Sequence, residues 1–164
     1  SYLLTGRSTV AGRTLDFGPA KEVTAVPPVT FASWSASFET SAGLPAGSLA
    51  GAPAADHNKD GVPNLMAFAL DLSPVTSATA SLPQTVVSGG RLRLDYPKRL
   101  DRTGITLKAE ISADLTTWFA PGQSGAPAGF TDTVVSTGGN VETRRASVPV
   151  GALNHYLRLK ATQP

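Results

Sequence analysis

The sequence predicts a mainly β protein, an antiparallel β-sandwich preceded by a small two-helix unit. Three observations carry this reading. From roughly residue 84 onward, apolar residues recur at every second position in short runs separated by Gly-rich turns, with no helical pattern between them. An aromatic stripe after residue 30 repeats at helical spacing. Between the two lies a loop rich in Asp and Asn that leads into a second short apolar run. The expected divisions are residues 1–29, 30–80 and 81–164.

The first segment, "SYLLTGRSTVAGRTLDFGP", holds two strand-like runs, residues 2–5 and 13–17, around a Gly/Ser/Thr turn region. Tyr2, Leu3, Leu4, Leu15 and Phe17 are its candidate assembly residues. Residues 20–29 contain Pro27-Pro28 and read as a linker. Such a segment suits a donor strand added to the edge of another subunit's sheet. It equally suits the closing strands of a preceding domain. A chain opening at Ser1, with no signal peptide in view, is expected for a processed or trimmed product.

In "TFASWSASFETSAG", Thr30 is the expected N-cap and Phe31, Trp34 and Phe38 share one helix face. Gly43 ends the helix, with Pro45 beyond it. A second helix is expected over residues 63–71, with Pro63 in its first turn and Ser73-Pro74 as its stop.

The sandwich strands follow. "GGRLRLDYPKR" places Leu92, Leu94 and Tyr96 on one face. "GITLKAEISADL" places Ile105, Leu107, Ala109 and Ile111 inward and Thr106, Lys108, Glu110 and Ser112 outward. "TTWFAPG" reads as a short strand, and residues 130–150 as a hairpin around Gly138-Gly139-Asn140. "NHYLRLKAT" turns Leu157, Leu159 and Ala161 inward. Six or so short antiparallel strands imply an immunoglobulin-like sandwich.

Bulk properties narrow the function. The 164 residues contain no cysteine, which removes disulfides and thiolate metal sites. Only 16% of residues are charged, a composition usual for extracellular β-modules. A net charge of +2 is too small and scattered for nucleic acid. No apolar run approaches the roughly 20 residues of a membrane span.

"ADHNKDGVPNLMAFALDLSP" carries the one metal-like pattern. An EF-hand-type loop takes oxygens from alternate positions, then a backbone carbonyl, then a closing carboxylate, with Gly at the sharp turn. Asp56, Asn58, Asp60, the Val62 carbonyl and Asn64 fall in that register, with Gly61 at the turn. The closing position holds Ala67. Asp71, one helical turn on, would reach an ion only through water or a shifted helix. Lys59 is expected to point outward. Calcium is therefore the expected cofactor, with affinity weakened toward the millimolar range. His57 and His155 are single, and nothing pairs them into a zinc site.

These phrases resemble a known family. "DHNKDGVPNLMAFALDLSP" is similar to the dockerin-like or thrombospondin-type-3-like calcium helix near the C-terminus of large secreted planctomycete and verrucomicrobial proteins. "FASWSASF", "SLPQ", "LRLDYPKR", "LKAEISADLTTW" and "YLRLKAT" resemble the aromatic helix and β-module of the same family. The fourth of these includes Ser112, Asp114, Leu115 and Trp118. Against the family pattern, its closing Glu is Ala67 and the Asp before its Pro is Ser73. The resemblance implies an extracellular, C-terminal, non-catalytic module. A dockerin proper carries two loops and takes a cohesin partner, whereas this chain has one loop.

Catalysis is not expected. "GQSGAPAG" is turn-rich and lacks a partnered base, and Glu110, Asp114, Asp132 and Glu142 show no acid/base spacing. Lys108 falls on the polar face, away from any internal isopeptide bond. The favoured expectation is a structural or assembly module of a surface filament or attachment structure, joined by its N-terminal strand. Its partners would be other copies or neighbouring domains. The alternative is a carbohydrate-binding accessory module of a secreted polysaccharide-degrading protein, with Tyr96, Trp118, Phe119, Phe130 and Tyr156 as candidate platform aromatics.

Overall fold

The computed structural model describes residues 2–4, 7–10, 13–16, 21–23, 27–151 and 154–164, with backbone pairing alone for the strands before residue 27. The chain is mainly β, with antiparallel sheets and two α-helices. Among the described residues no helix is long and apolar enough to cross a membrane.

Four short strands open the chain: β1 (Tyr2–Leu4), β2 (Arg7–Val10), β3 (Arg13–Asp16) and β4 (Lys21–Val23). They pair in a nested way, β2 with β3 and β1 with β4, both antiparallel. The expected linker over residues 20–29 is thus shorter than its composition suggests, because Lys21–Val23 is a strand paired to Tyr2–Leu4. Strand β5 (Val29–Thr30) follows Pro27-Pro28 and pairs in parallel with β8 (Arg102–Thr103). That long-range contact leaves no periodic signal, and sequence reading misses it.

Helix α1 (Phe31–Ala42) starts and stops where its capping chemistry directs. The Thr30 hydroxyl accepts the Ser33 N–H, and the Ser33 hydroxyl accepts the Thr30 N–H, a reciprocal capping box. Gly43 closes the helix at φ 66°, a left-handed conformation that costs glycine little. Helix α2 (Asn64–Leu70) begins after Pro63 and ends at Asp71, itself left-handed at φ 59°. Asp71, rather than Ser73-Pro74, is the stop.

Phe31, Trp34, Phe38 and Phe68 pack as one cluster, with ring centroids 5.0–5.9 Å apart in the contacting pairs. Val62 and Ala67 complete its buried wall. Burial of Phe68 alone contributes about 1.5–3 kcal/mol.

A four-stranded antiparallel sheet runs in the order β10 (Thr131–Gly138), β11 (Val141–Pro149), β7 (Arg91–Arg99), β6 (Thr85–Ser88). A two-stranded antiparallel sheet joins β12 (Tyr156–Thr162) to β9 (Thr106–Ser112). The β6–β7 turn places both Gly89 and Gly90 at positive φ, the pattern a tight two-residue hairpin requires. The expected hairpin over β10 and β11 turns at Gly139-Asn140, and a bulge interrupts its register between Val134 and Ser136.

Alternation decides which side chains enter the core. Leu94 and Tyr96 of β7, Leu107, Ala109 and Ile111 of β9, and Ala146 and Val148 of β11 form one buried cluster with Phe130. Leu157, Leu159 and Ala161 of β12 pack against it, partly buried. Helix α2 adds Ala69 and Leu70 to that cluster and turns Ala67 and Phe68 to the aromatic one. The helical unit and the sheets therefore share a helix. "TTWFAPG" forms no strand; it gives a single bridge from Phe119 to Ile111, because the turn after it starts at once.

Candidate functional site

The Asx-rich loop folds as its alternation suggests. Asp56, Asn58 and Asp60 are half-buried, while His57 and Lys59 between them are exposed. Lys59 sits at φ 57° and Gly61 at φ 86°, so the chain turns sharply twice. Asp56 accepts the Gly61 N–H at 2.6 Å and the Asp60 N–H at 3.1 Å. Asn58 Oδ1 also accepts from the Asp60 N–H, at 3.2 Å, and Asp60 Oδ1 accepts the Val62 N–H at 2.9 Å. Two bonds tie the loop to the segment after α2. The Ala78 N–H donates to Asp60 Oδ2 at 2.8 Å, and Asn58 Nδ2 donates to the Thr76 carbonyl at 2.8 Å. The Ala78 N–H is the main reason the Asp60 carboxyl is held below its ordinary pKa.

Asn64 is 1% exposed. Its backbone N–H donates to the Ala55 carbonyl and its Nδ2 to the Ala52 carbonyl, which ties the head of α2 to the loop entry. Its Oδ1 is buried without a hydrogen-bond partner. An orphaned buried oxygen is costly, and a cation is one partner that would relieve it. The donor set of Asp56, Asn58, Asp60, the Val62 carbonyl and Asn64 is all oxygen, the chemistry a hard cation takes. Among the described residues no three Asp, Glu or His side chains converge as a metal-holding group. An ion here would lean on amide, backbone and water oxygens as much as on carboxylates.

The closing position is accounted for differently. Ala67 is 1% exposed and belongs to the aromatic cluster. Asp71 turns away and pairs with Arg99 at 3.2 Å and with Arg102. Arg102 in turn lies 4.8 Å over the Phe68 ring. The cationic pair thus engages the only nearby carboxylate that sequence spacing offered as a substitute ligand.

The candidate sugar-binding aromatics do not form a platform. Tyr96 and Phe130 are core residues, and Phe119 packs on that core. Tyr96 donates its hydroxyl to Asp132 at 2.6 Å, and burial, foremost, with that carboxylate raises its pKa well above the usual phenol value. Trp118 lies outside the core, with the Arg158 guanidinium 3.9 Å over its ring. Arg158 is itself held by Glu110. Tyr156, 39% exposed, is the one candidate that faces solvent freely. The phrase around Trp118 is a turn device. Asp114 accepts the Thr117 and Thr116 N–H groups and the Ser112 hydroxyl, which hold its carboxyl far below the usual range.

Of the candidate assembly residues, Tyr2, Leu3 and Leu4 lie in β1 and Leu15 in β3, while Phe17 lies outside the described residues. His57 is exposed and His155 half-buried, far apart in the chain.

Sequence reading missed Glu39. This carboxylate, 4% exposed, accepts the N–H groups of Gly47, Leu49 and Ala50 at 2.7–3.1 Å. Those bonds, Gly47 first, hold its pKa below the ordinary value. It fastens the "GLPAGSLAG" loop to α1. A lone Glu in a polar helix stretch gives no sign of such a role.

Comparison with protein-family models, with curated proteins and with solved structures finds no match to this chain.

Proposed function

We propose that the chain is a non-catalytic extracellular module of immunoglobulin-like kind, with a structural or assembly role and joined to other copies through its N-terminal strands. One observation carries the reading most. Residues before Pro27 form their own strand pairs, β1 with β4 and β2 with β3, and each pair leaves outer edges open among the described residues. A free edge is the element that strand addition uses.

The carboxylates support a non-catalytic reading. Asp71, Asp95, Asp101, Glu110, Asp132 and Glu142 each pair with an arginine. Glu39, Asp56, Asp60 and Asp114 cap backbone N–H groups. That is structural employment for each of these, with no pair of carboxylates left facing a cleft.

Calcium, held by Asp56, Asn58, Asp60, the Val62 carbonyl and Asn64, would brace the loop against the 73–78 segment and so stiffen the seam between helices and sheets. The carbohydrate-binding alternative would have to rest on Tyr156, and among the described residues no second exposed aromatic joins it.

Light scattering and negative-stain imaging of the whole chain test the assembly reading. Filaments or large oligomers are expected, and deletion of residues 1–19 should abolish them while the far-UV circular dichroism of the sheets persists. Unchanged assembly after deletion would remove the reading. A monodisperse monomer would do the same and shift attention to a polysaccharide screen.

A further inference from the structure

The outward face of the β9–β12 sheet crowds like charges together. Alternation sends Leu107, Ala109 and Ile111 of β9 into the core, which leaves Lys108 and Glu110 on the other side. Register sets Lys108 directly opposite Lys160, Glu110 opposite Arg158 and Ser112 opposite Tyr156. Like charges directly opposed on neighbouring strands are destabilising. Lys160 lies 3.6 Å from Glu110 Oε1, and Arg158 donates twice to Glu110 Oε2, at 2.9 and 2.6 Å. Lys108 is exposed, and among the described residues it has no carboxylate within ion-pair distance. Three cations thus share one carboxylate on a solvent-facing strip. The strip is firmly built, because the Arg158 guanidinium is also stacked 3.9 Å over the half-buried Trp118 ring.

The cations on the outward face of the four-stranded sheet are differently placed. Asp95 holds Arg145 with two bonds, and Arg91 bonds to Ser147 and to the Gly129 carbonyl. Arg93 adds its charge near the already paired Asp95. The anion that would offset Lys108 and Lys160 is not supplied by the rest of the described fold either. Every carboxylate from Glu39 to Glu142 already pairs with an arginine or caps backbone N–H groups. The same residues of a second copy therefore have no free carboxylate to set against this face.

We propose that this face binds an acidic polysaccharide, a sugar chain that carries carboxylates at intervals. Lys108 and Lys160 take one carboxylate between them, which turns their mutual repulsion into a binding term. Arg158, pre-organised by Trp118 and Glu110, donates to the next sugar along. Tyr156, 39% exposed, closes the line and offers its ring to a sugar face. Successive positions on one face lie about 7 Å apart along a strand, so Lys160, Arg158 and Tyr156 form a row suited to an extended chain. Glu110 stands within that row. It is tolerated by a polymer whose charges are spaced, and it repels a dense phosphate backbone or a charged lipid surface. The proposal goes beyond the assembly role and is independent of it, since it uses neither β1–β4 nor a strand edge. It also needs no aromatic platform, because the cations supply the hold.

Calorimetric titration of the full chain with oligouronates cut from alginate, in chelator and at low salt, tests this. The parent should bind, and binding should weaken as salt rises. Lys108→Gln with Lys160→Gln should weaken it about fivefold or more. Arg93→Gln with Lys98→Gln removes the same charge from β7 and should leave affinity within about twofold. Equal loss in the two variants would show that binding follows net charge, and the site would fall. An absence of binding by the parent would end the proposal, while assembly, read by light scattering, would stand or fall separately. Tighter binding to oligo-dT, or to vesicles containing phosphatidylserine, would give the face to a phosphate ligand and overturn the sugar assignment. Without ligand, Lys108→Gln should melt at the parent's temperature or above it. A clear fall would mean that the facing lysines stabilise the sheet, and the argument from their repulsion would be lost.

Discussion

Replacing Ala67 with Glu restores, in sequence, the carboxylate that closes an EF-hand-type loop. The structure says this restoration is expensive. Ala67 is 1% exposed, beside Phe68 at 0%, within the cluster of Phe31, Trp34 and Val62. A longer side chain must displace neighbours in a packed cluster, at about 1–3 kcal/mol. A carboxyl buried there without partners adds roughly 1–3 kcal/mol more. The sum, about 2–6 kcal/mol, corresponds to a melting temperature lower by roughly 5–20 °C for a chain of this size. Calorimetry in chelator reads this directly. Ala67→Gln, which has the same bulk and no charge, separates overpacking from charge burial. Calcium at millimolar concentration should raise the melting temperature of the Glu variant by more than it raises that of the parent or the Gln variant, since only the carboxylate adds an anionic ligand. If Ala67→Glu melts within about 2 °C of the parent in chelator, the side chain escapes the cluster and the packing argument is refuted.

Other consequences follow from the same contacts. Phe68→Ala empties the centre of the aromatic cluster and should cost about 3–5 kcal/mol, read from urea denaturation. Tyr96→Phe removes the donor to Asp132, which keeps Arg144, and should cost about 1.5–3 kcal/mol, seen as a lower urea midpoint at unchanged slope. Glu39, Asp60 and Asp114 all have pKa values below the ordinary one, so the unfolded chain binds more protons as pH falls through the usual carboxylate range. Stability should be level at neutral pH, start to fall near pH ~4 and keep falling below it, and Asp114→Ala should shallow the acid limb. Millimolar calcium should raise the parent's melting temperature, with reversal by chelator; no shift would show that the loop holds its shape without an ion.

Local rules carry far in this chain. Thr30, Ser33 and Gly43 delimit α1 because capping is a matter of neighbours along the sequence. Leu94, Tyr96, Leu107, Ala109 and Ile111 are buried because the period of a strand leaves no other face. The exposure of Lys59 and the inward set of Asp56, Asn58 and Asp60 follow from the turn at Gly61. Long-range choices were not readable. The β5–β8 pair joins segments about seventy residues apart through two residues each, too short for any periodicity. Asp71 binds Arg99 and Arg102, a competition between an ion and two arginines that spacing alone cannot decide. The strand at Lys21–Val23 lies in a polar, Pro-flanked stretch whose composition favours a linker, and only its partner Tyr2–Leu4 makes it a strand.

The parallel pair of β5 and β8 also sets where tension would travel. A pull on the chain ahead of residue 29 arrives at the bond from the Val29 N–H to the Asp101 carbonyl, 2.8 Å long. The Asp101 side chain is gripped by Arg99, the last residue of β7, at 2.6 Å. Arg99 and Arg102 both hold Asp71 at the end of α2. The load therefore enters a central strand of the four-stranded sheet and bypasses the Asx loop, which can stay soft without weakening the line of pull.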